Sequence, residues 1–291
     1  MGVITDEGVA RLEGVSSISE ILRGDLASVD VWMSRRGEIR RSEHLRLLPP
    51  IDGATEVWAA GVTYLASREA RVEESDVSDV YQKVYDAERP ELFFKSQSWR
   101  VTTDGEPIAV RSDSPNNVPE PEVGLVLNRD GDLVGYVIVD DVSSRSIEGE
   151  NPLYLPQAKV YDGSCALGPS IIPRALVPDE TALGIRMTIR RGERIVFQGE
   201  SSTSRLKREF AELSEFLTRQ STFPDGVILA TGTSVVPALT MTLEVGDTVE
   251  IDIDHLGDLT TPVASATAVG DWLAMRKDDP GLRFERVGEE G

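Results

Sequence analysis

The dipeptide Asp130-Gly131 stands between two apolar runs, EVGLVLN before it and DLVGYVIVDD after it. Asp-Gly in that setting is the strongest short-range signal for a β-hairpin, because the tight turn wants positive φ at its central residues. A two-residue loop makes Arg129 face Asp132. The pairing then runs down to Leu125 opposite Tyr136, Glu122 opposite Val139 and Glu120 opposite Asp141. Opposed residues share a sheet face, and so do strand residues two apart. Glu120, Glu122 and Asp141 are therefore predicted to converge, while Asp140 turns away.

Three clustered carboxylates are not viable uncompensated. Repulsion and partial burial force protonation or demand a cation. A donor set of oxygens alone favours a hard cation, Mg²⁺ first, with Mn²⁺ or Ca²⁺ as alternatives. The competing reading leaves the two glutamates on a solvated edge, paired with arginines. Spacing alone leaves both open.

Composition narrows the function classes. The 291 residues suffice for one large domain with a small appendage. A net charge of −20 makes nucleic acid and anionic membranes poor partners. The lysines are Lys83, Lys95, Lys159, Lys207 and Lys277, so arginine supplies most of the 30 basic residues. Such a surface suits a cytoplasm of high ionic strength, and a GC-rich genome also favours arginine over lysine. Cys165 is the single cysteine, which rules out an intrachain disulfide. No cationic start precedes an apolar run, and no apolar run has the length of a membrane span. The chain reads as cytoplasmic.

Along the chain, residues 1–56 read as a small N-terminal α/β unit and 57–291 as the main domain. SSISEILRG (16–24) predicts a short helix with Ser16 or Ser17 as N-cap and Gly24 just past its end. VWAAGV reads as a strand leading to a glycine turn, 66–88 as polar helix and ELFFK (91–95) as a strand. From 107 onward short apolar runs alternate with turn residues, which predicts mostly strands. One helix is expected over 204–220, with Leu206, Phe210, Leu213, Phe216 and Leu217 at helical spacing. The fold class is α+β, with a mixed β-sheet roll. The C-terminal GEEG reads as loose.

PEPEVGLVL, VIVDDVSSR, LPQAKVYDGSCALGP, ILATGTSVVP and LEVGDTVEIDIDHLG together resemble the fumarylacetoacetate hydrolase family, in the family's order, over about residues 57–265. The resemblance implies a divalent ion held by a Glu-x-Glu pair and a later Asp. Those positions are Glu120, Glu122 and Asp141, the three that the hairpin register selects. It also implies the family's shared chemistry, in which a metal-chelated 2-oxo acid is stabilised as an enolate. GVTYLASREAR, AERPELFFKSQSWR and SIEGENPLYLPQAKVYDGSCALGP resemble a narrower branch. That branch dehydrates 2-dehydro-3-deoxy-D-pentonates, the arabinonate or the xylonate, to 2,5-dioxopentanoate in oxidative pentose breakdown. The family's hydrolases carry a histidine near a Gly-x-Asn-Tyr segment. The corresponding GVTYLASREAR has none, and His44 and His255 both read as surface residues. Hydrolysis of an acylpyruvate-type C–C bond is the alternative activity.

By the same resemblance, Lys159 and Glu91 are the proton-transfer candidates. Lys95 and Arg145 hold the substrate or the carboxylate network, and Thr233 meets the substrate carboxylate through a Gly-Thr turn. Lys159 beside a metal in a partly buried site is expected to have a lowered pKa. Ser146 departs from the family pattern, which has aspartate there. Relatives assemble as dimers or tetramers, so a homo-oligomer is implied. Cys165 reads as a buried small hydrophobe.

Overall fold

The structure is a computed structural model, and it describes residues 1–41, 45–74, 78–279 and Arg283. At the N-terminus, β1 (Gly2–Thr5) and β2 (Gly8–Leu12) form a hairpin. Helices α1 (Ile18–Leu22) and α2 (Leu26–Ser34) follow, and β3 (Arg36–Arg40) joins β2 to complete a three-stranded sheet. Helix α1 begins where the sequence places it. Ser17 caps it by accepting from the Glu20 amide, and the Glu20 carboxylate reaches back to the Ser16 amide at 3.0 Å. Leu12, Val15, Ile21 and Val29 make a small core of their own. The helix is docked on the rest of the chain through Asp52, which accepts from the amides of Ile18 and Ser19, both at 2.8 Å.

The main body opens with β4 (Glu56–Gly61), α3 (Leu65–Glu74), α4 (Ser78–Asp86) and β5 (Glu91–Gln97). Next come β6 (Ile108–Val110), β7 (Asn117–Val118), β8 (Pro121–Leu127), β9 (Leu133–Asp141) and β10 (Ser143–Ser144). Two short helices, α5 (Arg145–Glu150) and α6 (Leu155–Lys159), lead to β11 (Cys165–Leu167) and β12 (Ile172–Pro173). Then follow β13 (Gly184–Arg191), β14 (Arg194–Ser202), α7 (Phe210–Thr218), β15 (Val227–Ala230), β16 (Asp247–Ile253), β17 (Gly257–Ser265) and α8 (Ala266–Arg276). Among the described residues a seven-stranded mixed sheet runs β11-β9-β8-β15-β4-β5, with β12 beside β9. A five-stranded sheet runs β14-β13-β16-β17-β6. The expectation of an α+β fold on a mixed sheet holds.

Strand β8 lies inside the larger sheet and is buried along its whole length. Val123, Leu125 and Leu127 pack toward Ile185, Met187 and Ile251 of the second sheet. Val126 lies on the opposite face with Val137, Val139 and Ile228. A strand covered on both faces reads as a continuous apolar run, as VGLVL does.

The hairpin register holds for the carboxylates but not for the turn. Leu125 pairs with Tyr136, Glu122 with Val139 and Pro121 with Asp140, as predicted. Nearer the turn, Leu127 pairs with Leu133 and Val126 with Gly135, which leaves Val134 as an extra residue. The loop is longer than two residues. Asn128 donates its amide to Asp132 O at 3.0 Å, and its side-chain oxygen accepts from the Asp132 amide at 2.8 Å. Asn128 thus closes the turn in place of an Arg129–Asp132 pair. The bulge at Val134 absorbs the added loop residue and restores the predicted pairing below it.

The helix expected over 204–220 is shorter than its apolar spacing suggests, and α7 covers Phe210–Thr218 alone. Tertiary bonds win over periodicity in the preceding segment. Leu206 makes a bridge with Tyr64, and the Lys207 amide donates to Thr63 O at 3.0 Å. The Arg208 guanidinium donates to Ala87 O at 2.6 Å and Glu88 O at 3.1 Å, just past the end of α4. No helix is expected from the sequence at α2, α5, α6 or α8, and α5 and α6 are too short to show a period. The GEEG segment and His44 lie outside the described residues. No helix among the described residues is long and apolar enough to cross a membrane.

Arg208→Ala removes charged donors from two carbonyls and is expected to cost about 2 kcal/mol. Urea denaturation measures the loss, and hydrogen exchange should show faster exchange of α4 amides than of β8 amides.

Candidate metal centre

Glu120 immediately precedes β8, Glu122 lies on it, and Asp141 ends β9. The Asp141 amide donates to Glu120 O at 3.0 Å, which fixes the three side chains on one face. One oxygen from each lies within 4.8 Å of the others. The side chains continue the face that carries Val126, Val137 and Val139, so they point into the molecule. Their residues are 4%, 2% and 1% exposed, which rules out the solvated edge. Asp140 sits on the other face, as expected, where its carboxylate accepts from the Glu120 amide at 3.0 Å. Burial pushes its pKa up to about 7, although that amide bond opposes the shift.

Each of the three carboxylates is held by a protein donor. Lys159 Nζ donates to Glu120 Oε2 at 2.7 Å, Asp141 Oδ2 at 3.0 Å and Ser143 Oγ at 2.6 Å. It also lies over the Phe93 ring at 5.5 Å. Lys95 forms an ion pair with Asp141 and donates to Val142 O at 3.0 Å and Lys159 O at 2.6 Å. The Gly232 amide donates to Glu122 Oε2 at 2.6 Å. Gly232 has φ 95°, and a Cβ there would run into the Thr63 side chain, so this turn needs glycine. Three carboxylates against two ammonium groups leave one net negative charge. The Glu122 carboxyl is accordingly pushed well above its ordinary pKa, first by burial and then by the charges of Asp141 and Glu120. An all-oxygen donor set with surplus negative charge fits a hard dication such as Mg²⁺.

The centre opens on a cavity whose walls also include Glu91, Phe93, Glu148, Lys159 and Thr233. Of the residues expected from sequence, the structure thus gathers Glu120, Glu122, Asp141, Lys159, Glu91 and Thr233 around one space. Lys95 and Arg145 are not in its lining. Lys95 is wholly buried behind Asp141 and serves the carboxylate network, the second of the two roles expected for it. Arg145 is also buried and donates to Pro237 O at 2.8 Å, bracing the loop after Thr233. Glu148 went unrecognised in the sequence. It follows Arg145 by one helical turn, but only the unanticipated α5 aims it at the cavity. Ser146, in place of the family's aspartate, bonds to Ser114 Oγ at 2.7 Å. His255 is exposed in the turn between β16 and β17. Cys165 is buried, and burial raises its thiol pKa to about 12, as befits a packing residue.

Comparison with known proteins gives consistent findings. The family profile described as fumarylacetoacetate (FAA) hydrolase C-terminal matches residues 56–264. The chain is 49% identical over 216 residues to a probable 2-keto-3-deoxyxylonate dehydratase of Haloferax volcanii, covering 74% of each chain. It is 45% identical over 223 residues to the 2-dehydro-3-deoxy-D-arabinonate dehydratase of Saccharolobus solfataricus, covering 75% of this chain and 74% of that one. A solved 2-keto-3-deoxy-D-arabinonate dehydratase, complexed with magnesium and 2,5-dioxopentanoate, superposes with a TM-score of 0.79. That likeness spans 91% of this chain and 94% of the other, at 36% identity.

The raised Glu122 pKa has a signed consequence for the metal-free protein. Folded protein holds this proton more tightly than unfolded protein does. The stabilisation is complete below the ordinary value of 4.5 and is lost as pH rises toward the folded pKa. In EDTA, Glu122→Gln should therefore melt higher than wild type near pH 8, with the gap closing toward pH 4.5. Thermal unfolding at both pH values checks this, and a gap independent of pH would contradict it.

Proposed function

The chain belongs to the fumarylacetoacetate hydrolase family, and we propose that it is a magnesium-dependent hydro-lyase. It converts a 2-dehydro-3-deoxy-D-pentonate, the arabinonate or the xylonate, to 2,5-dioxopentanoate. The observation that carries this reading is the buried Glu120–Glu122–Asp141 centre facing Lys159 and Glu91, in a chain 45% and 49% identical to two such dehydratases. Among the described residues no histidine lines the cavity, so the histidine that the family's hydrolases use to activate water has no counterpart there.

Glu120, Glu122 and Asp141 would hold the metal, which supplies Lewis acidity that polarises the 2-ketone and acidifies C3. Lys159 enters as an ammonium, because its nitrogen already donates to three acceptors. It places positive charge beside the oxygen that gains negative charge. That leaves Glu91 as the base at C3. Glu91 takes a C3 proton, the C3–C4 double bond forms, and the C4–O bond breaks. The same carboxyl returns its proton to the departing oxygen, which leaves as water. A proton is then lost from C5 and one is gained at C3. The resulting enol becomes the aldehyde by shifting its hydroxyl proton to C4. Thr233, beside the Gly232 turn, meets the substrate carboxylate.

The finer assignments extend the same reading. Residues 57–291 form the catalytic domain, and 1–56 a small domain docked on it through α1. The reaction belongs to oxidative pentose breakdown in the cytoplasm, carried out by a homodimer or homotetramer.

The test is a coupled assay. The protein and 2-dehydro-3-deoxy-D-arabinonate are incubated with Mg²⁺, and 2,5-dioxopentanoate is followed with an NADP-linked aldehyde dehydrogenase. Activity should vanish in EDTA and in Glu120→Ala, and fall by about 10² or more in Lys159→Met. Cleavage of an acylpyruvate, with no 2,5-dioxopentanoate formed, would overturn the reading. Repeating the assay at low and high salt tests whether the acidic composition reflects a saline cytoplasm.

A further inference from the structure

We propose that Gly61 is the positioning residue for Glu91, and that its missing side chain is what lets the Glu91 carboxylate lie in the cavity. The proposal rests on the reading that Glu91 moves the C3 proton. Strands β4 and β5 are antiparallel, and Gly61 pairs with Glu91 at the end of their ladder. Opposed residues project to the same face, so a side chain at Gly61 would share the space of Glu91. The geometry is direct. An ideal Cβ on Gly61 would lie 2.8 Å from Glu91 Cδ and 3.3 Å from Cγ, and closer still to Oε2. The three heavy atoms nearest to that position all belong to Glu91. Both residues line the cavity.

Backbone conformation does not explain this glycine. Gly61 is an ordinary strand residue, outside the left-handed region that favours glycine. The residue in that region is the next one, Val62, at φ 53°. A β-branched side chain is poorly suited to such a φ. The chain therefore keeps a valine where glycine would relieve strain and a glycine where the backbone asks for none. A glycine inside a strand commonly marks close approach of another group, and here that group is the Glu91 carboxylate. The collision involves the far end of a flexible side chain. Alanine at this position can thus be accommodated by turning Glu91 away, which spares the fold and misplaces the carboxylate.

The experiment is a double-mutant cycle with a rescue. Mg²⁺ affinity is measured by calorimetry, and kcat and KM with 2-dehydro-3-deoxy-D-arabinonate. Gly61→Ala should lose kcat by about the same factor as Glu91→Gln, about 10² or more, with the Mg²⁺ Kd unchanged within about twofold. Gly61→Ala/Glu91→Gln should be no worse than Glu91→Gln alone, because both changes remove one function. Glu91→Asp, one methylene shorter, should raise the kcat of Gly61→Ala at least about tenfold. If Glu91→Gln is inactive while Gly61→Ala works normally, the positioning role is overturned and the assignment of Glu91 stands. If Glu91→Gln works normally, that assignment fails and the proposal with it. Additive losses in the double mutant would also overturn it, since Gly61 would then act through something other than Glu91. Should Gly61→Ala melt early and lose metal, recovery of both properties by Glu91→Asp supports the contact. No recovery overturns it.

Discussion

Three carboxylates buried within 4.8 Å of one another impose the constraint that the rest of the centre answers. Two unit charges about 4 Å apart repel by about 4 kcal/mol even at an effective dielectric constant near 20. A whole domain is stable by only about 5–15 kcal/mol. Repulsion of that size must be countered locally. Lys95 and Lys159, two of the chain's five lysines, are both buried against Asp141. They are also tied to each other, since Lys95 donates to the backbone carbonyl of Lys159. Residual negative charge is what makes the place hospitable to a dication.

The sequence shows the carboxylates clearly because strand geometry is simple arithmetic. Once Asp-Gly marks a turn, a period of two assigns faces down to Glu120, and the assignment survives because the bulge at Val134 offsets the longer turn. The family motifs then bring in Lys159, Glu91 and Thr233, which lie around the same cavity. What stayed hidden depends on elements too short or too tertiary to carry a period. Glu148 is aimed by the six-residue α5. Leu206, Lys207 and Arg208 look helical but are drawn out by bonds to Thr63, Tyr64, Ala87 and Glu88. The difference between Lys95 and Lys159 cannot be read from spacing either. One supports Asp141 from behind and the other faces the cavity, and only the packing of β5 against α6 decides which.

Helices α3 and α4 show how strongly local cations fix the surroundings of the cavity. Tyr85 on α4 is flanked by Arg68 at 5.0 Å and Lys207 at 4.1 Å, each over its ring. Lys207 also reaches Asp86 at 3.2 Å, and Arg208 holds the two carbonyls that follow. Ser67 on α3 lines the cavity. The segment that interrupts the expected long helix is thus the one that fastens this wall, which gives a physical reason for the broken period.

The bulge at Val134 bears on what kind of length change this hairpin can survive. Because side chains alternate, a single insertion or deletion within a paired stretch, between Glu122 and Leu127 or between Leu133 and Asp141, changes parity and turns the carboxylates of that strand to the opposite face unless a bulge absorbs it. Here an added residue in the turn is cancelled by an added residue in β9. Length changes in the paired strands are therefore tolerable only where a bulge takes them up, whereas the turn between Leu127 and Leu133 can lengthen without moving the acids. Natural variants and grafted loops should therefore carry extra residues in the turn or at a bulge, which makes strand length between turn and acids as much a determinant of the centre as the identity of its acids.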